Sequence, residues 1–322
     1  PKPDRIVPRV KDTAKILYTT YLVITLLEIV LLLLGGMSLF DAAVHTFGTV
    51  GTGGFSIKNE SVGAYNSTYI HLVIGIFMIL SGVNFSLYYA LFKGKVREVI
   101  RNEELRLYLG IIFTAVILIA ININKSMYNN FGLSLRDSFF QVGSIITTTG
   151  YATVDFDQWP TFSKIILFSL MFVGGCAGST GGGMKNIRIL VLFKLIKREI
   201  TKIFHPRAVI PIKTEDKVVP NETVASITSF FMLYILIFVL GTAIISLEGI
   251  DFESSAGAVA ATLGNIGPGI GLVGPARTYS QFSYGGKLLL SLFMLLGRLE
   301  LFTIIALLVP STWRKEILSK NA

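Results

Sequence analysis

Three short runs of glycine, threonine and asparagine stand out as the residues of this 322-residue chain able to handle an ion. They are Val50, Gly51, Thr52, Gly53 and Gly54; Thr147, Thr148, Thr149 and Gly150; and Gly264, Asn265, Ile266 and Gly267. Each follows a stretch that opens on an acid, at Asp41, Asp137 and Glu253, and the closing glycine comes 13, 13 and 14 residues later. Glycine permits the positive φ that turns successive carbonyls toward one axis. Carbonyls converging from several loops replace the hydration shell of a cation. The acids are expected to cap the preceding short helices and to complement the positive ends of their dipoles, leaving the negative ends at the loops. Irregular backbone at membrane depth survives only where it lines a water-filled or protein-lined cavity. Three such runs in register predict a cation pore.

A second constellation is Gly174, Gly175, Cys176, Ala177, Gly178, Ser179, Thr180, Gly181, Gly182 and Gly183, with six glycines in ten residues. Each glycine costs a helix about 1 kcal/mol relative to alanine, so the run interrupts the apolar segment that contains it. A phosphate-binding loop is excluded, because that motif needs G-x-x-x-x-G-K-[ST] between a strand and a helix. A passive kink and a mobile loop both stay open. Arg298 lies inside another apolar segment, where a charge costs at least about 2.5–3.5 kcal/mol and must face a cavity or a partner. Glu300, two residues on, points to a different helix face; Glu28 is a candidate partner from another span. Ser81, Asn84 and Ser86 fit pore lining and interhelical hydrogen bonding equally well. His45 and Gln141 read as buried, hydrogen-bonded supports, and Cys176 has no evident chemistry.

The elements that must hold these residues follow from composition. Apolar residues make up 52% and charged residues 15%, with a mean hydropathy of +0.65. A soluble domain carries about 25% charged residues, so an all-α integral membrane protein is expected. Six segments are long enough to span a bilayer: 15–37, 69–92, 105–123, 162–196 (interrupted), 224–247 and 286–310. After the first, third and fifth comes a shorter stretch, at 39–50, 133–147 and 250–263, too short to span and read as re-entrant. The result is repeated span–pore helix–span units around a central pore, with a late glycine shared by the second spans at Gly82, Gly175 and Gly297. The expected division is a linker at 1–14 and repeats at 15–100, 101–205 and 206–322. Lys and Arg concentrate in 1–15, 93–106, 185–217 and 311–322, whereas the alternate stretches hold only Lys58, Lys125, Arg136, Lys164, Arg277 and Lys287. The positive-inside rule then puts both termini in the cytoplasm. The net charge of +9 is thus mostly topology rather than a nucleic-acid surface. One cysteine excludes an internal disulfide framework, and three scattered histidines speak against structural zinc.

HTFGTVGTGGFS (45–56), FFQVGSIITTTGYAT (139–153), GGCAGSTGGGMKNIRILVLFK (174–194), ATLGNIGPG (261–269) and LGRLELFT (296–303) resemble the Trk, Ktr and HKT superfamily of potassium transporters. The resemblance is strongest to the Trk-type membrane subunit and covers essentially the whole chain. It implies a pore of four repeats in one chain, of which these three match the second, third and fourth; the start at Pro1 without methionine is expected of a fragment lacking the first. It further implies potassium ions at the backbone carbonyls of the three runs, glycine at 54, 150 and 267 going with potassium rather than sodium. The 174–183 loop would obstruct the pore and move to open it, with Arg298 projecting into the pore as an electrostatic barrier. The expected function is potassium uptake across the plasma membrane, by a homodimer joined to a separate cytoplasmic regulatory subunit of the Trk-A type. That subunit would carry the nucleotide, this chain needing no cofactor and no nucleic acid, only membrane lipid. The basic loops 93–106 and 194–217 either dock that subunit or are ordinary positive-inside loops. A sodium- or proton-coupled symporter stays open, since Glu28 and Glu300 are intramembrane carboxylates. An intramembrane enzyme would need convergent nucleophile and base residues, which these spans lack.

Overall fold

The structure, a computed structural model, describes residues 10–215, 217–299 and 301–308. Glu300 and the expected cytoplasmic ends lie outside them. The helices are α1 (Val10–Leu34), α2 (Leu39–Val50), α3 (Thr68–Ser81), α4 (Phe85–Phe92), α5 (Val96–Arg101), α6 (Glu103–Ile123), α7 (Phe131–Ile146), α8 (Thr161–Leu170), α9 (Asn186–Phe204), α10 (Asn221–Ser246), α11 (Phe252–Leu263), α12 (Tyr284–Arg298) and α13 (Leu301–Leu308). A two-residue hairpin, β1 (Lys213–Thr214) with β2 (Lys217–Val218), interrupts the helical pattern between α9 and α10.

Among the described residues three helices are long and apolar enough to cross a membrane unbroken, over Ala14–Leu34, Glu103–Tyr128 and Asn221–Ser246. The outer sides of α1 and α10 expose Leu26, Leu27, Val30, Met232, Leu236 and Val239, as a lipid-facing surface requires. Each long helix packs against a short one, α1 on α2, α6 on α7 and α10 on α11. Among the described residues apolar cores form around α1–α3, α6–α8 and α10–α12, with a smaller cluster of Val191, Ile212, Val224 and Ile227. Among the short helices α11 is the most deeply buried: every residue from Ser254 to Leu263 is buried. Alanine and glycine at 256–258, 260 and 261 let neighbouring backbones approach closely there.

The second spans differ from expectation. The segments read as continuous at 69–92 and 286–310 are bent pairs, α3 and α4 meeting at 94° and α12 and α13 at 112°. The break after α3 has a long-range cause. A Cβ on Gly82 would run into the Tyr108 hydroxyl and Thr147, and the freed backbone groups find partners in the glycine run. The Gly82 carbonyl accepts from the Cys176 N–H at 2.8 Å, and the Phe85 N–H donates to the Gly178 carbonyl at 3.1 Å. A broken membrane helix is stable when neighbouring backbone satisfies it in this way. Asn84 caps α4, accepting from the Ser86 N–H at 2.9 Å.

The expected caps are corrected. The capping side chains are Ser38, Asn130 and Asp251, which accept from the N–H groups of Asp41 (3.1 Å), Leu133 (3.2 Å) and Ser254 (3.0 Å). An N-cap is the non-helical residue just before the first turn, and Asp41 and Glu253 already lie inside it. There they still complement the dipole: Asp41 accepts from the Tyr65 hydroxyl at 2.7 Å, and Glu253 pairs with Lys164 at 2.6 Å. Asp137 sits nearly two turns into α7, buried and paired with Arg136 at 2.7 Å.

Candidate functional site

The loops following α2, α7 and α11 share one backbone conformation. Positive φ occurs at Thr52 (50°) and Gly54 (64°), at Thr148 (59°) and Gly150 (83°), and at Asn265 (57°) and Gly267 (103°). A chain that changes hand at alternate residues presents its carbonyls to one side instead of alternating them. The loops also touch in sequence order. A Cβ built on Gly54 would strike the Thr149 carbonyl, and one on Gly150 would strike the Ile266 carbonyl. Gly54 and Gly150 therefore each pack on the peptide just before the next closing glycine. The three runs singled out in the sequence lie side by side.

The first left-handed residue of each loop is not glycine, which costs about 1–2 kcal/mol. In each case its side chain is held from below. The Thr52 hydroxyl shares its proton between the Gly51 carbonyl (2.8 Å) and the Thr180 carbonyl (2.9 Å). The Thr148 hydroxyl accepts from the Gly182 N–H at 2.6 Å, and the Asn265 amide donates to the Met294 carbonyl at 2.8 Å. A net hydrogen bond of about 0.5–1.5 kcal/mol is of the size needed to offset that strain.

Two tyrosines that the sequence did not single out brace the loops. The Tyr151 hydroxyl donates to the His45 and Phe55 carbonyls at 3.0 and 3.2 Å, and its own carbonyl accepts from Ser144 at 2.5 Å. Tyr279 donates to the Gly267 carbonyl at 2.6 Å. The position of Tyr151 directly after Gly150 was the available signal; Tyr279 gave none. His45 is buried with both ring nitrogens engaged, by the Asp41 carbonyl (2.8 Å) and Ser56 (2.9 Å), as a support would be. Gln141 reaches Thr153 at 3.3 Å.

The 174–183 run forms an irregular loop between α8 and α9, lodged against all three candidate filter loops. Besides its bonds to Thr52 and Thr148, a Cβ on Gly182 would come within 3.2 Å of the Gly264 carbonyl. Arg298, at the end of α12, donates to the Thr180 carbonyl at 3.2 Å. That oxygen is the one Thr52 also bonds, so Arg298, the glycine loop and the first candidate filter loop meet at one peptide. Glu28 does not serve as the partner of Arg298. It is fully buried in α1, beside a Thr49 hydroxyl that donates to the His45 carbonyl at 2.8 Å.

A family model described as a cation transport protein, TrkH, matches residues 2–315. The chain belongs to the TrkH family. Among members, the Trk system potassium uptake proteins TrkH and TrkG of Escherichia coli strain K12 are each 38% identical to it, over 316 and 315 residues, or 98% and 97% of this chain. The chain spans 65% and 64% of their lengths. The crystal structure of the potassium transporter TrkH from Vibrio parahaemolyticus superposes with a TM-score of 0.88 at 38% identity, covering 95% of this chain and 66% of that one. At that similarity the helical membrane fold is the TrkH fold, and the curated relatives are transporters rather than enzymes.

Proposed function

We propose that this chain forms most of a potassium-selective pore and serves potassium uptake across the plasma membrane. The observation that carries the reading is the alternating left-handed backbone repeated in three loops that stack Gly54 on Thr149 and Gly150 on Ile266. Potassium ions are the ligand, held by the carbonyls of 50–54, 147–150 and 264–267. Among the described residues nothing lies within 4 Å of a Cβ at Gly267, which supports a ring closed by a fourth loop. The names of the relatives support the choice of ion. In the full-length protein, Gly150→Ser should lower potassium-over-sodium discrimination while membrane insertion persists, because a side chain there displaces the Ile266 peptide. Unchanged uptake ratios in a potassium-uptake-deficient host would remove Gly150 from the filter.

In the same proposal the loop 174–183 and Arg298 form the gate below the filter. The bond from Arg298 to the loop's Thr180 carbonyl, which Thr52 also bonds, supports it. The full protein works as a homodimer with a cytoplasmic regulatory subunit that carries nucleotide. A cleft of about 550 Å³ lined by Arg198, Lys202, Arg207 and the hairpin residue Val218 supports an acidic docking partner on the basic 194–217 face. A coupled symporter is the second reading, favoured by Glu28, whose buried carboxyl oxygens have no hydrogen-bond partner among the described residues. Proton flux accompanying potassium in liposomes, abolished by Glu28→Gln, would select it.

A further inference from the structure

The neck of the glycine loop is fastened to a buried carboxyl group on a different helix. Glu104, in the first turn of α6, is 5% exposed. Its Oε1 accepts the backbone N–H of Ala177 at 2.7 Å and that of Ile187 at 2.9 Å. Residues 177–187 therefore leave from and return to a single oxygen atom. The Asn186 N–H closes the same neck on the Gly175 carbonyl at 2.9 Å. Between the two anchors lie Thr180 and Gly182, whose backbone meets Thr52, Thr148 and Arg298.

A carboxyl group buried at the edge of a membrane is costly and needs compensation. Its role is not to start its own helix, because Asn102 already caps α6, accepting from the Leu105 N–H at 2.7 Å. The helix in need is α9, where the residue at the capping position, Lys185, supplies no capping hydrogen bond and stands at φ 67°. Glu104 caps α9 from across the structure, with its carboxyl at the positive end of the α9 dipole. Residues beside Glu104 add two further ties. Glu103 pairs with Lys194 of α9, and Asn102 bonds the Glu215 carboxylate of the hairpin.

We infer that Glu104 is the latch of the glycine loop: it fixes the loop's neck, holds the loop against the filter, and restrains ion flux. This rests on the loop being the gate. Glu104 is a positioning residue, acting through backbone it does not share with the ion path. What the latch needs is an acceptor of the right length, so Glu104→Gln should keep it and Glu104→Ala should lose it.

The test pairs hydrogen exchange with flux, using the full-length protein in liposomes. Glu104→Ala should speed amide exchange in 174–188 by about tenfold or more and raise potassium flux per folded protein, with Glu104→Gln near the parent in both. Unchanged exchange in Glu104→Ala overturns the latch, whatever the flux does. Equal acceleration in Glu104→Ala and Glu104→Gln also overturns it, since the acceptor is then not what matters. Faster exchange with unchanged flux upholds the tether but overturns both its restraint of flux and the gate reading. If Glu104→Ala gives no folded protein, Glu104→Asp replaces it. One methylene shorter, its carboxylate cannot reach both N–H groups, and the same criteria apply.

Discussion

Gly150 and Gly110 show how differently one residue type is used along this chain. Gly150 stands at φ 83° with the Ile266 carbonyl pressed against the position a Cβ would take. Gly110 lies in α6 with nothing among the described residues within 4 Å of a Cβ and no positive φ. Gly150→Ala should therefore cost about 1–2 kcal/mol for the left-handed torsion and about 1–3 kcal/mol more for the collision. Gly110→Ala should be neutral or stabilising by up to about 1 kcal/mol, through helix propensity. Thermal unfolding of the two purified variants measures the contrast. Equal stability would mean that the Gly150–Ile266 packing does not hold the loops together.

At the scale of elements, the breaks in the second spans matter more than the spans. Each broken helix brings a glycine under the candidate filter: Gly82 against Thr147, Gly182 against Gly264 and Asn265, Gly297 against the Leu263 carbonyl. The glycine loop fills the space this creates and presents its Thr180 carbonyl to both Arg298 and Thr52. A fixed charge about 6 Å from a passing cation, at an effective dielectric of about 20, contributes roughly 3 kcal/mol, or about a hundredfold in flux. Arg298→Ala and a shortened 175–182 loop should each raise basal potassium flux in liposomes. Because both act through one peptide, the combined variant should give less than the product of the two effects. Multiplicative effects would separate the charge from the loop. A loss of folded protein on Arg298→Ala would instead make the arginine structural.

For the molecule as a whole, the question is which side of the membrane each connection occupies. The alternation of basic residues assigns 93–106 and 185–217 to the cytoplasm, with 58 and 277 opposite. Lys58, Lys95, Arg207 and Arg277 are all exposed, and the native Cys176 is fully buried and contributes little background. Lys58→Cys and Arg277→Cys should label from outside sealed cells with a membrane-impermeant thiol reagent, and Lys95→Cys and Arg207→Cys should not. External labelling of Lys95→Cys would mean that α2 spans the membrane.

Sequence alone determined the membrane class, the apolar segments that form α1, α6 and α10, the shorter helices α2, α7 and α11 that follow them, and the positions of the loop glycines. Hydropathy and backbone torsion are set by a residue and its immediate neighbours, so the chain displays them directly. Tertiary structure decided the rest. The continuous hydropathy of 69–92 concealed a 94° bend, because its partners are Cys176 and Gly178, about a hundred residues away. The acids Asp41, Asp137 and Glu253 looked like caps, yet an N-cap is defined by a boundary that packing sets to within a turn. Arg298 could be read as needing a partner, but that the partner is the Thr180 carbonyl rather than Glu28 depends on two helix breaks meeting. Glu104 gave no signal at all: it looks like one more acid in the first turn of a helix, and only the fold brings Ala177 and Ile187 to its oxygen.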